Sequence, residues 1–193
     1  MPVTPASMPP PKVLPFVQVR DRPGAEAAIE AIFFEASGRT FTPGREHDVF
    51  RERWLGRFLV QWPELAFVLE AAPSDPSRSK PEIAGYLVGC LDNPAKSPHF
   101  SDLAYFQVFA EVCARFPAHV HINLDRRCQG QGHGQLLIEA FACVAKAAGS
   151  PGVHVVTGDG ARNIGFYGRS GFAEVAKTNW NGHEIVFLGR PLI

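Results

Sequence analysis

The sequence predicts an α/β domain: a mixed sheet of about seven strands with helices on both faces. Two observations carry this. Apolar residues recur alternately with period two and period 3.6 along the chain, in the order β-α-α-β-β-α-β-α-β-α-β-β. In the middle, residues 119–144 read HVHINLDRRCQGQGHGQLLIEAFACV, which is a strand, a glycine turn and a helix. Val120, Ile122 and Leu124 alternate with His119, His121, Asn123 and Asp125, giving a strand with unlike faces. Gly130, Gly132 and Gly134 follow. Leu137, Phe141, Val144 and Ala148 then recur at helical spacing, and Gly149 stands where a left-handed C-cap belongs.

The other elements follow in order. Phe16–Arg20 alternates as a first strand. Asp21-Arg22-Pro23 opens a helix, with Asp21 as N-cap, that carries Ala25, Ala28, Ile29, Ile32 and Phe33 and reaches Ala36. Ser37–Val49 reads as loop. Phe50–Trp62 is a second helix with Phe50, Trp54, Leu55, Phe58 and Leu59 on one face, core by default and a substrate gate as the alternative, and Pro63 ends it. Ala66–Ala71 and Ile83–Leu91 are paired strands joined by a polar, proline-rich loop at 73–81. Gly85 and Gly89 in the second strand mark a bulge or a close approach. Asp92-Asn93-Pro94 is a turn, and Ser101–Phe116 is helical by pattern. After the central stretch come a strand at Val153–Thr157, a short helix at Ala161–Ser170 and a strand at Phe172–Lys177. The Asn181-Gly182 turn leads to a last strand at Glu184–Leu188.

Composition narrows the function classes. At 193 residues, 46% apolar and 20% charged, the chain suits one soluble domain, with 16–193 as the folded unit and 1–15 a flexible, proline-rich tail. Net charge is zero, so no basic field points to nucleic acid. The N-terminus resembles neither a signal peptide nor a membrane anchor, and no apolar run approaches a membrane span. Cysteines 90, 113, 128 and 143 form no C-x-x-C, which favours reduced thiols in a cytoplasmic protein. His119, His121 and His133 lack a partner thiol or carboxylate at ligand spacing, so no metal is expected.

Three glycines between a strand and a helix let backbone N–H groups approach an anion, and the helix dipole adds to the attraction. A phosphate-bearing ligand is the expectation. Gln135 stands where the dinucleotide fingerprint needs glycine, and the Gly-Lys-Ser/Thr of a P-loop is absent. What is present is Gln129-x-x-Gly132-x-Gly134, which resembles the pyrophosphate motif of the GCN5-related N-acetyltransferases. The segment from Asn163 to Phe172 (NIGFYGRSGF) resembles that family's second motif, which lies along the pantetheine arm of coenzyme A.

The resemblance spans Phe16 to the C-terminus and implies acetyl-CoA as cofactor. Ile122, Asn123 and Leu124 would then lie along the cofactor arm, with Gln129, Gly130, Gln131, Gly132, His133 and Gly134 at the pyrophosphate. Asn163 and Phe166 would face pantetheine, and Tyr167 would protonate the leaving thiolate. FPAHVHINLDRRCQGQGHG, GYLVGCLD and FLGRPL are similar, more narrowly, to the acetyltransferase-like domain of O-GlcNAcases and its free-standing bacterial relatives, with the phosphate loop intact.

An attacking amine must lose a proton. Asp92 is the first candidate base, because it ends a strand next to the expected cofactor cleft. His121 and Asp125, on the polar face of the next strand, are candidate substrate-binding groups and alternative bases, and Asn123 is a water holder. The implied activity is N-acetylation of a small amine or a protein lysine by a monomer or homodimer, with no nucleic-acid or membrane partner. Two alternatives stay open: an acetyl-CoA-binding pseudoenzyme acting as a sensor or partner-binding module, and a transferase of larger acyl groups.

Overall fold

The structure, a computed structural model, describes residues 10–192 except 76, 78 and 79. Seven strands form one sheet in the order β1-β2-β3-β4-β5-β7-β6. They are β1 (Lys12–Pro15), β2 (Phe67–Ala71), β3 (Glu82–Cys90), β4 (Ala118–Leu124), β5 (Gly152–Gly158), β6 (Ala173–Trp180) and β7 (His183–Pro191). Only β4 and β5 run parallel; every other neighbouring pair is antiparallel.

The helices divide between two faces. On one lie α1 (Ala25–Ser37), α2 (Arg45–Arg51), α3 (Arg57–Gln61), α4 (Tyr105–Val108) and α5 (Ala110–Arg115). They enclose Tyr86, Val88, Phe58, Phe100 and Phe106. On the other lie α6 (His133–Ala147) and α7 (Ile164–Arg169), whose Leu137, Phe141 and Tyr167 pack with Leu87, Val120 and Phe172. The alternation along β4 explains the division. Val120 points to α6, and His119 enters the opposite core.

Several boundaries differ from the sequence reading. The first strand is Lys12–Pro15, inside the stretch assigned to the tail, and Phe16–Gln18 is a 3-10 turn. Residues 1–9 of that tail lie outside the described residues. Proline tolerates the position because β1 is an edge strand and needs no donor on its open side. The first helix begins at Ala25, after Gly24 in the left-handed region (φ 81°), so Asp21 does not cap it. A helix already starts at Arg45, within the expected loop, with Glu46 and Asp48 in its first turn complementing the dipole. Ser101–Phe116 is two short helices broken at Phe109. The 181–182 turn does form, with both residues at positive φ, and Gly149 does take the left-handed C-terminal position.

Between α2 and α3, Glu52–Gly56 is π-helical, so residues 45–61 run as one helix with a widened turn. Phe50, Trp54, Phe58 and Trp62 recur at strict four-residue steps. An α-helix would carry such a row progressively around its axis, and the wider turn slows that drift. Trp54 therefore stays over the sheet, edge-on to His121 with ring centroids 5.4 Å apart.

Candidate active site

Register between β4 and β5 holds only at Ala118↔Val153 and His119↔His154. Beyond it β4 continues to Leu124 and β5 to Gly158 without pairing, so the strands part. A parted parallel pair exposes peptide N–H and C=O groups along a slot, which suits an extended ligand arm.

The turn after β4 opens at the mouth of this slot. Asp125 accepts from the N–H of Arg127 (2.9 Å) and pairs with its guanidinium, and Arg127 also binds the carbonyl of Ala72 and Glu82. Gln129 and Gln131 fold back onto the carbonyls of Leu124 and Arg127. Their side chains thus shape the turn and leave its backbone donors outward. Among the described residues, the N–H groups of Gly130, Gln131, Gly132, His133 and Gly134 have no intramolecular acceptor. Gly130 and Gly132 need positive φ (74° and 82°), and no atom lies within 4 Å of where their Cβ would be. Gly134 differs: its Cβ would lie 2.9 Å from the Phe166 ring and 3.2 Å from Leu124, so its smallness serves packing. The Nδ1 of His133 is buried without a partner beside these donors. Together with the open strand edge, this donor-rich, uncovered turn fits a diphosphate with an extended tail.

From α7, Asn163 accepts from the Thr157 hydroxyl at 3.1 Å, which ties the start of the helix to β5. Phe166 packs on Gly134, and Tyr167 is buried beside it. Burial pushes the Tyr167 phenol well above its usual range, so it stays protonated.

On the opposite face, Phe33, Ala36, Ser37, Phe50, Trp54, His121 and Asn123 line a cleft of about 300 Å³. Asn123 donates to the Tyr86 hydroxyl at 2.7 Å. Burial, with the neighbouring Tyr167 phenol, raises the Tyr86 phenol, while the Asn123 bond opposes the shift. Ile122 and Leu124 face α6 and Asn123 faces the cleft, so one strand serves both sides.

No protein-family model matches the sequence. Solved structures do match. "SsHAT" is 27% identical, with a TM-score of 0.70 over 96% of this chain and 100% of that one. An N-acetyltransferase from Staphylococcus aureus is 13% identical, with a TM-score of 0.60 over 96% and 100%. A chain of the NatC complex bound to Gag peptide and CoA is 18% identical, with a TM-score of 0.61 over 96% and 100%. The chain has the GCN5-related N-acetyltransferase fold.

Within that fold two of the expected site residues move out of the site. Asp92 follows the end of β3 that pairs with His119, whereas the slot opens toward Asn123. At about 3.3 Å per residue this is roughly 13 Å of strand, so Asp92 stands at the closed end, exposed in its turn. Asp125 is committed to Arg127 and caps the turn, which removes it from the cleft. The sequence pattern gives Tyr86 no role at the site and takes Phe50 and Trp54 as core by default, with a substrate gate as the alternative. A tyrosine within the apolar run GYLVGC, and aromatics at four-residue steps, were the available signals.

His121 remains, at the end of a buried file. The rings of His154 and His119 stack at 4.9 Å, and His119 meets His121 at 4.6 Å, among Phe58, Phe100, Phe106 and Phe187. His154 Nδ1 meets the carbonyl of Phe116. Both nitrogens of His119, and Nε2 of His121 and His154, are buried without partners. Burial lowers His121 to about 4 and His154 to about 3, and takes His119 well below the usual value; Arg57 lowers His119 and His121 further. All three are neutral at pH 7.

Because these folded values lie below the unfolded 6.5, the unfolded chain binds more protons as pH falls. Stability is therefore full above pH 6.5 and is lost progressively toward pH 3, on the order of 4 kcal/mol for His154 alone. Thermal melts from pH 7 to 4 should show this, and His119→Leu should flatten the loss without lowering the melting temperature at pH 7, since no hydrogen bond of His119 is broken.

Proposed function

We propose that the chain is an acetyl-CoA-dependent N-acetyltransferase acting on a primary amine. The observation that carries this is the parting of β4 from β5 beside the unpartnered amides of 130–134. Acetyl-CoA would supply an acetyl thioester, whose acyl carbon the amine attacks with loss of the thiolate. The turn amides and the dipole of α6 would hold the diphosphate, and the edge of β4 that is unpaired with β5, at Ile122–Leu124, would align the pantetheine arm. An N–H of that edge can donate to the developing oxyanion. His121, neutral and partly bare of partners, accepts the proton that the amine nitrogen gives up. Tyr167, kept protonated by burial, returns a proton to the thiolate.

Two observations favour turnover over a sensor role: an aromatic cleft with a neutral histidine lies on the far side of the same strand, and a protonated tyrosine lies on the near side. The narrower kinship with O-GlcNAcase-associated acetyltransferase domains and their bacterial relatives, and a cytoplasmic place, belong to this reading as well. Among the described residues, no helix is long and apolar enough to cross a membrane.

The test is thiol release from acetyl-CoA in the presence of amines. Tyr167→Phe should lower kcat about 10–100-fold while leaving coenzyme A affinity within about twofold. Unchanged kcat would remove Tyr167 as the acid.

A further inference from the structure

Resting on the cofactor reading above, we propose that the cleft takes a small primary amine with an aralkyl or branched-alkyl body and no second charge. Its volume of about 300 Å³ corresponds to about ten waters at roughly 30 Å³ each, which is room for a molecule of about that many heavy atoms. Three of its walls are the aromatic rings of Phe33, Phe50 and Trp54, and no carboxylate lines it.

Most acids on the helices that flank the cleft are already paired. Arg39 lies over Phe41 and Phe50 (4.6 and 5.0 Å) and binds Glu46. Arg51 binds Glu26 and Glu30, and Arg57 grips Asp102 with both nitrogens. Glu26, Glu30, Glu46 and Asp102 are thus held by arginines, Glu35 is paired with Arg126 at 3.0 Å, and Asp48 with His47. An ammonium group entering here loses water and meets no counter-ion, which favours release of its proton before or on binding. That is the form in which a nitrogen lone pair can attack. His121 and Asn123 provide the polar floor, so one amine end and one apolar body are what the cleft can satisfy.

The widened turn at Glu52–Gly56 is what brings Trp54 to this wall, so the apolar lining is a built feature of the helix. The aromatic surface continues from Phe50 to Phe34 and Phe41, the three rings lying 4.8–6.5 Å apart.

The experiment is a titration of the protein, with and without saturating coenzyme A, by phenethylamine, isoamylamine, spermidine and a lysine-containing peptide, followed by tryptophan fluorescence. Trp54→Phe identifies the responding ring. Phenethylamine and isoamylamine should bind at least about tenfold tighter than spermidine or the peptide. Ala36→Leu, which fills the cleft from an exposed helix position, should abolish that binding with the melting temperature unchanged. Tighter binding of spermidine or the peptide, or no binding of either apolar amine, overturns the proposal. Failure of coenzyme A itself to bind, measured separately, counts against the cofactor reading. The amine order measured without coenzyme A still decides the cleft.

Discussion

Gly132→Asp is expected to lower coenzyme A affinity about a hundredfold or more while the domain stays folded. The position tolerates the change sterically, because nothing lies within 4 Å of the added Cβ. Its φ of 82° costs an L-residue about 1–2 kcal/mol, and aspartate is among the residues that accept the left-handed region best. Once there, the carboxylate stands at the N-cap of α6 and can take the N–H groups that the diphosphate needs, besides repelling it. Gly132→Asn reproduces the shape without the charge and should lose markedly less. Calorimetric titration of the two variants, with melting curves beside them, makes the comparison. Gly134→Asp is a poorer probe, since its Cβ meets Phe166 at 2.9 Å and any loss would mix repacking with charge. Equal affinity for Gly132→Asp and the parent would remove the turn from the cofactor site.

His121→Gln is expected to lower kcat/KM about 10²–10³-fold with coenzyme A affinity nearly unchanged, the range typical of a lost general base. Glutamine retains a polar group in the cleft but cannot take a proton at neutral pH. The pH profile adds an independent reading. His121 is faced by Arg57, His119, Trp54 and Phe58, and burial holds it to about 4. Protonation of this base should therefore reduce the rate only near pH 4. Above that, the rate should climb with the free-amine fraction of the acceptor. An acid limb near 6.5 that disappears in His121→Gln would show a solvent-exposed histidine and contradict the buried file.

The parts of the fold that were legible in the sequence are those where a local pattern has one physical solution. The alternation from Val120 to Leu124, the glycine turn and the spacing of Leu137 and Phe141 allow little but strand, turn and helix. The same holds for the Asn181-Gly182 hairpin and the Gly149 cap. The first strand was hidden because a proline-rich run reads as tail, and only its pairing with Glu70–Phe67 at the sheet edge makes Lys12–Pro15 a strand. The π-helical turn was hidden for a related reason: four-residue steps differ little from 3.6 over one turn, and their consequence accumulates only along the whole helix.

The site was half legible. Phe166 meets Gly134 of the glycine turn and Tyr167 lies beside it, while Asn163 bonds Thr157 of β5. Asp92 was misplaced because sequence says which strand a residue ends but not which end of the partner it meets; antiparallel pairing with β4 sends it to the closed end. Asp125 was misread because its partner, Arg127, also reaches the β2–β3 hairpin, a tertiary tie that no local pattern displays. The bond from Asn123 to Tyr86 follows from their pairing across β3 and β4, and such cross-strand neighbours become visible only with register.

Titration of the parent chain with acetyl-CoA by calorimetry tests the central claim most directly. One site of micromolar or tighter affinity, weakened about a hundredfold by Gly132→Asp, is the predicted result. No heat of binding from a folded parent chain would contradict the account: the parted strands and the open amides of the turn would then not be a coenzyme A site.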